Sequence, residues 1–524
     1  MTTTADPEVG HERPKSVVPR WHAALAGILA AVAALVAAEL VAALVEAAQS
    51  PVTSIGTAVI NLAPPALRDF AVELFGTADK SVLIGGVLLV LAVVAAVTGV
   101  LAVRRFWLGA AGVVLLGLVG LAAALADANA TGAAAPLPAL TAMVAGVACL
   151  RLLVGALLRD ADTGDGAETD RRAFVRAAAA VVGSALVGGT IARWLTARSN
   201  AAAVVEAAGL PTADQPLPPL PESAALSVRG LAPLVTPNAD FYRIDTALGT
   251  PTVPTEQWRL TIKGMVDNPM RLTFDQLLDY ELIEADITLA CVSNEIGGYL
   301  VGNARWRGVR LADVLADARV QRGADQLVGR STDGFTAGSP LATVLDGRNS
   351  MIAIGMNGEP LPAAHGFPAR IVVPGLYGYV SATKWLAELE LTTFDTFDAY
   401  WVPRGWAAKA PIKTQSRIDV PRRGATVAAG RVPVAGVAWA PSRGIAGVEV
   451  QIDDGPWQQA RLSEVVSKDS WRQWVYEWQA VEGEHQIRVR ATDDTGETQT
   501  ERLASPRPDG ATGWHTIPVS VAAA

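Results

Sequence analysis

The sequence predicts a multi-domain chain: an N-terminal bundle of about five transmembrane helices, an α+β domain, and a C-terminal β-sandwich of immunoglobulin type. Three observations lead there. Nearly all the long apolar runs fall in the first two hundred residues. Residues 236–405 mix short alternating strands with helical pieces. From about 424 onward, short period-two stretches alternate with tight turns, as in an all-β sandwich.

A bilayer crossing takes about 20 apolar residues. Five segments qualify, at roughly 23–45, 82–103, 106–126, 136–158 and 174–197. Lys and Arg favour the cytoplasmic side. Arg13, Lys15 and Arg20 precede the first span, so residues 1–22 form a cytoplasmic tail. Arg104 and Arg105 join spans two and three, and Arg159, Arg171 and Arg172 separate spans four and five. The outer loops hold only Arg68 and Lys80, against one dissenting Arg198. Five crossings from an inside start place everything after residue 198 outside the cytoplasm. Glu39 is the one deep acidic group in these spans. None of His11, His22, His365, His485 and His515 lies deep in a span, so no haem-ligand pair is available there. This half reads as an anchor or a docking platform.

Residues 199–235 hold Pro211, Pro216, Pro218, Pro219, Pro221 and Pro233, a density that predicts an extended, semi-rigid stalk. In the α+β region, "WRLTIKG" alternates buried Leu260 and Ile262 with polar neighbours, and Thr273 caps a short helix in "TFDQLLDYEL". In the sandwich, 406–524, "GVEVQIDDG" puts Val448, Val450 and Ile452 on one face, and "HQIRVRATDDTG" does the same with Ile487, Val489 and Ala491. The two cysteines, Cys149 in a membrane run and Cys291 in the α+β region, are expected to be unpaired. A net charge of −8, with no basic stripe, argues against a nucleic-acid partner.

Taken alone, Cys291 in "ITLACVSNEIGG" is a buried structural residue. Its company changes that. "NADFYRIDTAL", "TLACVSNEIGG", "GNARWRGVRLADVL", "MNGEPLPAAHGFPARIVVPGLYGY" and "SATKW" follow one another in the order of the molybdopterin-binding domain of the sulfite oxidase family, which this stretch resembles. The likeness continues into the sandwich. It implies a molybdenum-molybdopterin cofactor with Cys291 as the protein's thiolate ligand to the metal. Soft thiolates suit such a metal, and the metal keeps the thiol deprotonated. It further implies cofactor contacts from Asn238, Tyr242, Arg243, His365, Arg370, Ser381 and Lys384, with Arg243 also holding an anionic substrate. Arg370 and Lys384 suit phosphate or pterin-carbonyl groups. Without the resemblance, "HGFPARIVVPG" is a loop His and a strand with a solvent-facing Arg.

Two departures bear on substrate. After Cys291 stand Val-Ser-Asn-Glu-Ile, where sulfite-oxidising members carry an arginine, and Val437 replaces a tyrosine near the start of the sandwich. Sulfite would meet Glu295. The expectation is therefore oxygen-atom transfer with a neutral sulfoxide-type compound. The alternatives are a dedicated sulfite oxidase, or a cofactor-free surface binding protein with an immunoglobulin-like module. With no haem-attachment motif and no iron–sulfur cysteine set, electrons need a separate redox partner, a membrane or c-type cytochrome. The resemblance also implies a homodimer through the sandwich.

Finally, "DRRAFVRAAAAVVGSALVGG" places the pair Arg171 and Arg172, then one residue, then Phe174, ahead of a weak apolar core, like a twin-arginine export signal. The positive-inside rule alone also accounts for the pair. A domain that folds around its cofactor in the cytoplasm must, however, cross already folded, which favours export.

Overall fold

The computed structural model describes residues 18–45, 50–64, 74, 79–126, 134–162, 169–206, 209–251 and 253–523. Arg13, Lys15 and Arg68 lie outside the described residues, and Lys80, Arg159, Arg171, Arg172 and Arg198 are described in their backbone only. The chain divides into two units, Met1–Ser199 and Asn200–Ala524.

The described residues of the first unit are helical: α1 (Arg20–Leu44), α2 (Pro51–Leu62), α3 (Asp79–Arg104), α4 (Phe106–Ala126), α5 (Leu137–Asp162) and most of α6 (Thr169–Glu206), whose last turns fall past Ser199. Among the described residues five stretches are long and apolar enough to cross a membrane: Arg20–Leu44, Ser81–Arg104, Phe106–Ala126, Leu137–Leu158 and Phe174–Leu195. Helix α2 is the addition that span-counting passes over, since its 12 residues fall short of a crossing. Pro51 opens it and Ser50 caps it, while the Ser50 hydroxyl also donates to Glu39. Helices α1 and α3 meet backbone to backbone, because a Cβ on Gly27 would overlap the Ala95 carbonyl and one on Gly99 the Ala23 carbonyl. Small residues let helices approach this way where lipid offers no hydrophobic drive.

The second unit begins with β1 (Arg259–Gly264), β2 (Met270–Thr273), α7 (Phe274–Leu278), β3 (Leu282–Ala290), β4 (Val301–Arg310), α8 (Leu311–Ala318), β5 (Gln326–Ser331), β6 (Thr336–Pro340), α9 (Leu341–Val344), β7 (Met351–Met356), β8 (Glu359–Pro360), β9 (Arg370–Val372), α10 (Gly378–Ser381) and β10 (Leu386–Thr392). One sheet runs β2-β1-β10-β5-β6; the other runs β3-β4-β7-β8, with β9 beside β7. Leu260 and Ile262 point into a core shared with Leu389 and Leu391, as their alternation predicts. Thr273 caps α7 in a reciprocal box, accepting from Gln276 N at 3.1 Å while Gln276 accepts from Thr273 N at 2.9 Å.

The strands β11 (Gln415–Val420), β12 (Thr426–Ala428), β13 (Gly430–Trp439), β14 (Ile445–Ile452), β15 (Gln458–Gln459), β16 (Arg461–Leu462), β17 (Arg472–Ala480), β18 (Gly483–Asp493) and β19 (His515–Ala522) follow. They form two sheets, β11-β13-β17-β16 and β12-β19-β18-β14-β15. Val448, Val450, Ile487, Val489 and Ala491 of one sheet share a core with Ile418, Val434 and Trp474 of the other. Trp471 anchors this β-rich region to the α+β part, its backbone N–H reaching Thr288 Oγ1 at 2.7 Å in the middle of β3.

The proline-rich segment departs from expectation. It is extended, as its prolines dictate, but from residue 209 it lies along the second unit and is no free stalk. Gln215 pairs in parallel with Ile283, Leu217 N donates to Glu284 at 2.9 Å, and Trp471 Nε1 donates to Leu234 O at 2.7 Å. Apolar Ala224 and Leu234 between the prolines are buried, and composition alone does not reveal which small residues find a core.

Candidate active site

Cys291 is the first residue after β3 and is buried. Its N–H donates to Leu300 O at 2.9 Å and its carbonyl accepts from Asn294 N at 3.1 Å, closing a tight turn. The Asn294 side chain accepts from Leu300 N at 2.8 Å and holds the returning chain. The polar, glycine-containing sequence after the strand is what allows this turn, with Gly297 at φ +76°.

A second stretch supplies two more groups. A single 3₁₀ turn, Ala363–His365, ends at Gly366 with φ +113°. A Cβ on Gly366 would lie 3.1 Å from both Arg370 Cβ and Lys384 Cα, so this close approach requires glycine. His365 Nε2 stands 2.9 Å from Asn238 O. Arg370 opens β9; its Nη1 donates to His365 O at 3.1 Å and its guanidinium lies 5.1 Å from the centroid of the Trp306 ring. Its Nε is buried without a hydrogen-bond partner. Lys384, just before β10, reaches Asp245 at 2.7 Å and Ala364 O at 3.3 Å, and lies 4.8 Å from the centroid of Trp385.

These groups line one cleft with about 770 Å³ of empty space, part of it open to solvent. Cys291, Tyr242, His365, Arg370 and Lys384 come together there, beside Phe241, Asp245 and Trp385. Three expected residues do not line it. Arg243 is 41% exposed and is held by Asp245 at 2.9 Å and Thr250 at 3.0 Å. The Asn238 side chain is spent on Met356 O, Glu359 and Asn357, so it meets the site only through its carbonyl to His365. Ser381 is buried, its hydroxyl donating to Leu376 O at 3.2 Å and Tyr377 O at 3.0 Å at the end of α10. Glu295 is exposed and likewise absent from the lining. Asp245, Ser331, Asp333, Phe335, Tyr379 and Trp401 line the cleft without having been singled out from sequence. For Asp245 and Tyr379 a signal existed, since they stand in the "NADFYRIDTAL" and "IVVPGLYGY" stretches; Ser331 ends β5, and Asp333, Phe335 and Trp401 come from separate loops.

Burial sets the charge states. It pushes His365 down to about 4, aided by Arg370 and Lys384 and opposed by its bond to Asn238 O, so the imidazole is neutral at pH 7. It lowers Arg370 to about 10, and Lys384 to about 8 against the pull of Asp245. Burial raises the Tyr242 phenol, keeping it protonated. The Cys291 thiol is pushed up by burial, while hydrogen bonds from Ser293 draw it down. The result is a neutral imidazole, two buried cations, a phenol and a thiol in one cavity. The orphaned Arg370 Nε and the paired cations fit a group rich in phosphate and carbonyl oxygens. Among the described residues no cluster of three His, Cys, Asp or Glu could hold a metal by itself.

Residues 247–401 match the family model of the oxidoreductase molybdopterin binding domain. The chain is 29% identical to the mitochondrial sulfite oxidase of Homo sapiens over 339 residues, covering 55% of this chain and 62% of that protein. Over 176 residues it is 33% identical to the uncharacterized oxidoreductase YuiH of Bacillus subtilis (strain 168), covering 33% of this chain and 85% of the relative. Among solved structures, the sulfane dehydrogenase SoxCD from Paracoccus pantotrophus matches with 24% identity and a TM-score of 0.48, covering 60% of this chain and 91% of that one. The chain thus spans 62% of the length of the sulfite oxidases it matches. With its cofactor-domain match and an oxidoreductase relative covered over most of its length, the chain belongs to the sulfite oxidase family of molybdopterin-binding oxidoreductases.

Proposed function

We propose that this chain is a membrane-anchored oxidoreductase that moves an oxygen atom to or from a small molecule at a molybdenum ligated by Cys291, on the extracytoplasmic side. The observation that carries this is the convergence of the Cys291 thiol with Arg370, Lys384 and His365 in one cleft, although these residues are spread over 94 positions (291 to 384). Bound there, molybdenum-molybdopterin supplies two-electron oxygen-atom transfer. Cys291 would hold the metal as thiolate. Arg370, with its free Nε, and Lys384 would take the anionic and carbonyl oxygens of the pterin, and neutral His365 a pterin edge. Tyr242, protonated and lining the cleft with Cys291, would have a proton to donate to a group bound there.

Sulfite is disfavoured as substrate. Arg243, the expected anion holder, is outside the lining and paired with the cleft residue Asp245, and no arginine replaces it just after Cys291. A neutral S-oxide fits this charge balance better. Electrons would pass to or from a separate partner, a membrane or c-type cytochrome. The five apolar helices serve as anchor, with the inside-start charge pattern putting the second unit outside. The paired sheets of 406–524 are consistent with an immunoglobulin-like sandwich, the face through which a homodimer would form. Purified full-length protein from a cofactor-competent host should contain about one molybdenum per chain and turn over an S- or N-oxide with a reduced dye. Metal-free protein from such a host would contradict the proposal.

A further inference from the structure

The outer part of the cleft has a different chemistry from the inner part. Cys291 and Arg370 are buried, whereas Asp333, Phe335, Tyr379 and Trp401 are half-buried, so the cleft reaches solvent beside them, as it also does at the exposed Ile244. Asp333 and Phe335 sit in the turn between β5 and β6, Tyr379 on α10, and Trp401 on the segment after β10. The rings are braced into one array. Phe335 lies 5.7 Å from Tyr400, Tyr400 5.1 Å from Trp401, and both Trp401 and Tyr379 pack on Trp406, at 6.3 Å and 5.8 Å. Backbone ties hold the array in place: Tyr379 Oη donates to Ala407 O at 2.6 Å, and Tyr400 N to Thr336 Oγ1 at 3.0 Å.

The two carboxylates of the cleft differ. Asp245 is neutralised by Lys384 and Arg243. Asp333 accepts only the Phe335 N–H, at 3.1 Å, and forms no ion pair among the described residues. The nearest cation in sequence, Arg330, is engaged by Glu388 and Glu390. An unpaired carboxylate among pre-positioned aromatic faces attracts a compact, weakly hydrated cation, by charge and by the ring quadrupoles. The same carboxylate repels a dianion.

We infer that Asp333, Phe335, Tyr379 and Trp401 form a subsite for an alkylammonium group on the non-reacting arm of the substrate. This inference rests on the cleft being the substrate entrance of the oxidoreductase proposed above, and it narrows the substrate to an organic compound whose reacting oxide is neutral and whose other arm carries the cation. The subsite lies in the outer part of the cleft, so it selects without touching the metal's ligands.

The test uses full-length, cofactor-loaded protein in detergent, titrated with tetramethylammonium chloride and followed by tryptophan fluorescence. Neopentyl alcohol, of the same bulk but uncharged, is the comparison, and sodium chloride holds ionic strength constant. Tetramethylammonium should bind at least about fivefold tighter than the alcohol, and Asp333→Asn should weaken it about three- to fivefold. Trp401→Leu should weaken both probes, with circular dichroism checking its fold. Equal or tighter binding of the alcohol overturns the inference, as does an Asp333→Asn protein that binds the cation normally, or no response to either probe. Molybdenum is measured in the same samples: its absence would sink the oxidoreductase reading, whereas a loaded protein without cation preference sinks only the subsite.

Discussion

Nζ of Lys384 lies 2.7 Å from the carboxylate of Asp245, with both side chains nearly buried. The pair joins the loop after Asn238 to the segment just before β10, and Arg243 reaches the same carboxylate. Removing one partner of a buried pair leaves the other charge uncompensated, at a cost on the order of 3 kcal/mol. Asp245→Asn should therefore lower the midpoint of chemical denaturation of the second unit. Asp245→Glu should restore part of the loss.

The pH dependence of the same lysine separates two effects of opposite sign. Lys384 titrates at about 8 in the folded protein, against about 10.4 in an unfolded chain. Between these values the unfolded state binds more protons, so this group makes the fold more stable as pH rises. Over the same rise Lys384 loses the charge that, on the proposed function, would hold an anionic ligand. Pterin retained after dialysis should fall above about pH 8 in the wild type. In Lys384→Met retention should be lower throughout and should lack that step.

Gly366 is the hinge that lets His365, Arg370 and Lys384 share one wall. Alanine there meets a left-handed backbone at φ +113° and two neighbours at 3.1 Å. Such strain costs roughly 1–3 kcal/mol, which the fold can absorb, but the cations must shift. Gly366→Ala should keep its circular dichroism spectrum while pterin content falls by about tenfold or more.

Much of the cleft lining was legible because its carriers are local. The strand ending at Ala290 and the polar turn after it mark where Cys291 emerges, and "HGFPAR" holds His365, Gly366 and Arg370 within six residues. The same locality explains which expected residues do not line the cleft. Ser381 looks available in "SATKW", but it is consumed by the carbonyls of its own short helix. Arg243 looks like an anion holder, but a carboxylate two residues away and Thr250 claim it. Asp333, Phe335, Tyr379 and Trp401 meet only because β5, β6, α10 and the chain after β10 converge, and no periodicity encodes that. In the sandwich, alternation was enough to place Val448, Val450, Ile487 and Val489 inward, since each strand buries one face.

Export can be tested apart from catalysis. Arg171→Lys with Arg172→Lys keeps both charges, so the positive-inside rule predicts no change. If the pair is a twin-arginine signal, the variant should keep its second unit shielded from external protease in intact cells. Normal export of active protein by the variant would rule that route out.

The central claim is that Cys291 is the protein's ligand to molybdenum, and X-ray absorption at the molybdenum edge measures that directly. Wild-type protein and Cys291→Ser should carry similar pterin, because Arg370, Lys384 and His365 remain. The variant's metal should have one sulfur neighbour fewer, and its turnover should be lost. An unchanged sulfur count in Cys291→Ser, with turnover intact, would contradict the account.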